Sequence, residues 1–192
     1  MLLDELDCSS LQGSEADHVK RAIEKREDFI GYIPSMAFKF ILQNHRRLAD
    51  LHVLERNWVP AYLHASQLNA VPLSVLQDVF DTCDRHTLQE HFPIYVGDHF
   101  SRGERFSLFR GCAGPEHRKG MSWTSSLDKA IWYAAHHAAY YDLENVAVYA
   151  AVVDRSEIYC CGDHYDFDYI VHPQTWWKVN VPPSEFRLDR PR

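Results

Sequence analysis

The chain contains no uninterrupted apolar run of membrane-spanning length, so no helical span is expected. Its opening residues, MLLDELDCSS, carry acid where a secretion leader needs base, which leads to the expectation of a chain made and folded in a cytosol. Basic residues are in deficit. A net charge of −7 disfavours an open nucleic-acid platform, because a phosphate polymer needs a cationic surface. Only a local patch, for instance around Arg118 and Lys119, would serve nucleic acid. There is no internal repeat, low-complexity tract or long linker.

A disulfide framework is missing too. The five cysteines are odd in number and irregular in spacing, and Cys160 and Cys161 are adjacent, so reduced thiols are expected. Cys160, Cys161 and His164 suggest zinc by residue type. Adjacent cysteines, however, lack the separation that lets both sulfurs turn to one ion. The twelve histidines are scattered and form no HExxH pattern, so no metal site is expected.

What is present is ample material for a core: 46% apolar residues, 13% of all residues being aromatic. The pattern of residues 1–104 is helical. SEADHVKRAIEKREDFIGYI sets Val19, Ile23, Phe29 and Ile30 among charges near a 3.6 period. A second helix is expected over 35–54, a short helical or turn segment between Pro60 and Pro72, and a third helix over LSVLQDVFDTCDRHTLQEHF. Residues 105–192 read as strands with one helix. FSLFRGC alternates, with Phe106, Leu108 and Arg110 on one face and Ser107, Phe109 and Gly111 on the other. MSWTSS places Ser122 and Thr124 opposite Trp123. Ser125 or Ser126 then caps the helix LDKAIWYAAHHAAYY, expected to bury Leu127, Ile131, Ala134, Ala135 and Ala138. NVAVYAAVVD reads as a central strand, and SEIY and DFDYIV as further strands. The fold class is α+β: a helical N-terminal region followed by a mixed sheet core.

Three features carry chemistry. Arg110 ends a strand, where a guanidinium suits a bidentate grip on phosphate or carboxylate, or a structural ion pair. Ser122 and Thr124 put hydroxyls on one strand face, while Ser125 and Ser126 are accounted for by the helix cap. Asp166 and Asp168 project from one face of the DFDYIV strand. There they would stabilise a sugar-derived cation or activate a nucleophile, or form the polar face of an edge strand.

In this order the three resemble the arginine–serine–glutamate group of mono-ADP-ribosyltransferases, the cholera-toxin-like branch. Phe109-Arg110-Gly111 is similar to its first motif, Ser122-Trp123-Thr124 to its second, and Asp166-Phe167-Asp168 stands where Glu-x-Glu is usual. GMSWTSSLDKAIWYA also resembles bacterial and prophage relatives of that group. The likeness spans residues 106–171. It implies an ADP-ribosyltransferase-like core, NAD as co-substrate, a protein acceptor and a toxin or effector role. Arg110, Gly111, Ser122 and Thr124 would bind the dinucleotide, with Arg110 on a phosphate. Ser122 would orient Asp168, Asp168 would hold the nicotinamide ribose, and Asp166 would present the acceptor. On regular strands Phe109 and Trp123 would turn away from a shared Arg110/Ser122 side. The loop from Ala113 to Gly120 would move over the site. Aspartate is one methylene shorter than glutamate, so the same core as a nucleotide-binding or inhibitory protein is the alternative.

Overall fold

A computed structural model describes residues 2–65, 70–95, 105–114, 120–162 and 168–191, with the Leu2 side chain left out. The chain divides into two compact units, residues 1–91 and 92–192. The division falls ahead of the 104/105 change of pattern because residues before the first strand already bond into the second unit. The Cys161 N–H donates to the Phe92 carbonyl, Ile94 joins the sheet core, and the Tyr169 hydroxyl donates to the Tyr95 carbonyl.

The first unit is helical: α1 (Gly13–Glu24), α2 (Ala37–Asp50), α3 (Leu54–Leu63), α4 (Leu73–Thr82) and α5 (Arg85–His91). Helix α1 buries Val19, Ala22 and Ile23, and α2 buries Ala37, Phe40, Ile41, Asn44 and Leu48, the stripe that a 3.6 period sets facing a core. Four expected boundaries move. Helix α1 ends at Glu24, and Arg26 follows with φ 56°. The helix expected over 35–54 stops at Asp50, with His52 at φ 58° and the Val53 N–H returning to the Leu48 carbonyl. Pro60, expected as a boundary, lies inside α3. There the packing of Trp58 and Tyr62 on Phe80, with centroids 5.3 and 5.4 Å away, outweighs the lost backbone bond. The helix expected from Leu73 to Phe92 breaks at Cys83, whose ψ is 139°. Asp84 starts α5 by accepting the Thr87 N–H at 2.8 Å, and buried Glu55 accepts the Asp84 N–H at 2.9 Å.

Among the described residues the second unit is one α-helix and a sheet whose strand pairs are all antiparallel, not the mixed sheet expected. Its strands are β1 (Arg105–Cys112), β2 (Ser122–Thr124), β3 (Ala147–Asp154), β4 (Ile158–Cys161), β5 (Asp168–Val171) and β6 (Trp177–Val179), in the order β4-β5-β2-β1-β3-β6. The alternation gives no warning of β6. Helix α6 (Leu127–Tyr141) follows β2; Ser126 caps it by accepting the Lys129 N–H at 3.2 Å. Its buried face is Lys129, Ala130, Ala134 and Ala135, a rotation away from the expected Leu127 and Ile131. Gly111 sets that rotation: a Cβ there would lie 1.7 Å from the Ala130 carbonyl oxygen, so the helix backbone rests directly on the strand. The other sheet face buries Phe106, Leu108, Trp123, Ala151, Val153, Ile158, Cys161, Tyr169 and Val171. Among the described residues no helix is long and apolar enough to cross a membrane.

Candidate functional site

The three motif strands are contiguous. β2 lies between β1 and β5, so one β2 residue, Thr124, is flanked by Phe109 of β1 and Asp168 of β5. Phe109 is directly opposite Thr124, and Thr124 directly opposite Asp168. Directly opposite residues share a face. Phe109, Thr124 and Asp168 therefore stand on the α6 side with Gly111, and Ser122 joins them two residues from Thr124. Ser122 and Asp168 are diagonal neighbours there, both half-buried.

Arg110 turns to the opposite face, with Trp123 and the Leu108 core. This corrects the expected division: Phe109 accompanies the hydroxyls, and Trp123 accompanies the arginine. The physical reason is register, since Phe109 rather than Arg110 pairs with a hydroxyl residue of β2. The long side chain still reaches β2, where Nη1 donates to the Ser122 carbonyl oxygen at 2.6 Å. Its guanidinium lies over Gly120; a Cβ there would sit 1.9 Å from Nη2 and 2.3 Å from Cζ. The sequence offered Gly120 only as the end of a loop, although it leaves room for the arginine.

Two residues assigned to the ligand have structural tasks. Gly111 admits α6, and the Thr124 hydroxyl accepts the Ser126 N–H at 3.1 Å at the turn into that helix. Thr124 is buried. Asp166 lies outside the described residues, as do Pro115–Lys119 of the loop expected to move, and His164. Cys160 and Cys161 face opposite sides of β4, level with Ile170 and Tyr169. Burial pushes the Cys161 thiol up to about 12, the Tyr95 backbone opposes this and the Asp168 charge adds to it. Burial likewise pushes the Tyr169 hydroxyl up. Among the described residues no group of three His, Cys, Asp or Glu side chains could hold a metal ion.

Tyr149 is a residue that sequence reasoning overlooked. It is directly opposite Arg110 on β3, and its ring meets Trp176 edge-on at 4.8 Å. As the one aromatic in AVYAAVVD it was visible, but its neighbour was not. Away from these residues, an open cavity of about 480 Å³ is lined by Val146, Val148, Val179, Val181, Pro183 and Phe186, among others. It contains none of the expected site residues. Compared with known proteins, the chain matches no family model, no curated protein and no solved structure.

Proposed function

We propose that the chain is an NAD-dependent mono-ADP-ribosyltransferase that moves ADP-ribose from NAD to a protein side chain, on an ADP-ribosyltransferase-like core. The observation that carries this reading is the bond from Arg110 to the Ser122 carbonyl, which ties the first motif strand to the second while Asp168 borders the second from its other side. In this reading the guanidinium grips the diphosphate, its planar donor fork matching phosphate oxygens. The Asp168 carboxylate accepts from the ribose 2′-hydroxyl and faces the positive charge that grows as the C1′–N bond breaks. The bonding electrons leave with neutral nicotinamide. The acceptor nucleophile then bonds to C1′ and gives up its proton, a task that falls to Asp166 by the resemblance.

A second reading, a nucleotide-binding or inhibitory protein, has its own observation. Register turns Arg110 and Asp168 to opposite faces of the sheet, and the acid is short. Measuring nicotinamide release from NAD by the purified chain separates the two. Release that disappears in Asp168→Ala and in Arg110→Ala supports the transferase. NAD binding with no release, with and without cell lysate, supports the binder. Neither binding nor release overturns both.

A further inference from the structure

Helix α6 lays its alanines on the sheet and turns a row of rings away from it. Trp132 and His136 each follow a buried alanine, Ala130 and Ala134, by two positions, and Tyr140 comes one turn later. At about 100° per residue, two positions carry a side chain to the opposite side of the helix. The row is stacked: Trp132 and His136 lie 4.9 Å apart with planes at 13°, His136 and Tyr140 6.0 Å apart at 28°. Tyr141 meets Tyr140 edge to face at 4.8 Å and 81°. Tyr140 is 73% exposed and Tyr141 46%. A continuous row of exposed rings marks an interaction surface rather than a core.

The Trp132 end of the row is already taken. Its indole N–H donates to the Leu188 carbonyl oxygen at 2.9 Å, and the Arg190 guanidinium lies over the ring, 5.2 Å from the centroid. The chain's own C-terminal stretch thus shows what such a ring accepts, a planar cation on its face. Charge at the Tyr140 end suits a second one. Asp142 and Glu144 are exposed just past the helix, whose C-terminus adds its partial negative charge. Asp128, one turn before Trp132, is exposed as well. The one lysine of α6, Lys129, belongs to the buried face.

We propose that Tyr140 and Tyr141, with His136 beside them, form a docking surface for an arginine-bearing segment of a partner protein, a guanidinium of which stacks on Tyr140. Arginine fits better than lysine because its planar, weakly hydrated cation stacks on a ring, whereas an ammonium keeps its water. Single-stranded nucleic acid also stacks on rings, but its phosphates would meet Asp142 and Glu144 without a cationic groove to receive them. The surface uses no residue of the three motifs, so it stands or fails independently of the transferase reading.

The test is fluorescence anisotropy of the full chain with three labelled probes: a short peptide of alternating arginine and serine, its lysine counterpart, and an oligothymidylate. The arginine peptide binds the parent chain and Tyr140→Phe alike, because the ring is kept. It binds Tyr140→Ala about two- to fivefold more weakly, the worth of an exposed cation–π contact. The lysine peptide binds the parent chain more weakly than the arginine peptide. Thermal melts check that both variants are folded. No binding of the arginine peptide, or equal affinity for the parent chain and Tyr140→Ala, overturns the surface. Equal affinity for the two peptides reduces it to general attraction by acid and overturns the arginine assignment. Tighter binding of the oligothymidylate than of the arginine peptide makes it a nucleic-acid surface and overturns the proposal.

Discussion

The Arg110 guanidinium donates to the Ser122 carbonyl oxygen across the seam between β1 and β2, from the opposite sheet face to the Ser122 side chain. Lysine keeps the charge but has neither the fork nor the planar surface that lies over Gly120. Arg110→Lys is expected to weaken NAD binding by on the order of tenfold or more, the value of a charge-assisted bond. Titration with NAD checks this, and an unchanged affinity removes the guanidinium from the site.

Two glycines give opposite outcomes. At Gly111 a methyl group meets the backbone of Ala130 and Ala134, which has nowhere to retreat without moving α6. Gly111→Ala should cost on the order of 1–3 kcal/mol or more by overpacking, seen as a lower melting temperature. At Gly120 the methyl group meets only the end of the Arg110 side chain. Gly120→Ala should keep the melting temperature and lose NAD affinity as the guanidinium swings aside. Equal melting temperatures for the two variants would contradict this contrast.

If Asp168 stabilises developing positive charge, neutralising it should affect the chemical step more than binding. Asp168→Asn is expected to lower nicotinamide release by on the order of a hundredfold, with a much smaller change in NAD affinity. Steady-state release and equilibrium binding read the two effects separately. A loss confined to binding makes Asp168 a ligand contact and ends the catalytic assignment.

Cys161 and Tyr169 are directly opposite each other and buried. Unfolded, the Cys161 thiol ionises near its ordinary 9.0; folded, it holds its proton until about 12, through burial first and then the Asp168 charge. Between those values the unfolded chain sheds the proton first, so stability present below the lower value declines as pH rises toward the upper. Tyr169, raised mainly by burial, acts in the same direction. Urea midpoints in reducing buffer should be lower at about pH 10.5 than at about pH 8, and the drop should shrink in Cys161→Ala. A midpoint insensitive to pH overturns the account.

In the helical unit, Asn57 is fully buried, accepts the Phe29 N–H at 2.9 Å and donates to the Val53 carbonyl at 2.8 Å. Asn57→Ala strands the Phe29 donor, at a cost of roughly 1–3 kcal/mol. Chemical denaturation of the full chain measures it. A change below about 0.5 kcal/mol would mean that the loop finds another acceptor.

Several elements were legible because their cause is local. Alternation in FSLFRGC, a serine cap at 125 or 126 and the apolar stripes of α1 and α2 follow from backbone period and side-chain chemistry within a few residues. Pro60 and Asp84 show where local rules failed. A proline sits inside α3 because Trp58 and Tyr62 pack around it, and an aspartate divides a continuous apolar pattern because its carboxylate caps α5. For the candidate site, the residue types were readable, and so was the strand that carries each. Which faces they share was not.

The order of residues alone determined the class of the chain, α+β, helices before strands, and the chemistry on offer at Arg110, Ser122 and Asp168. Composition and periodicity suffice for that, because each strand or helix declares its own buried side. Only tertiary structure decided the meeting of those residues. Placing β2 between β1 and β5 and setting Phe109, not Arg110, opposite Thr124 are choices of strand pairing. A one-residue difference in register exchanges the two faces of a strand, and no pattern within a single strand contains it.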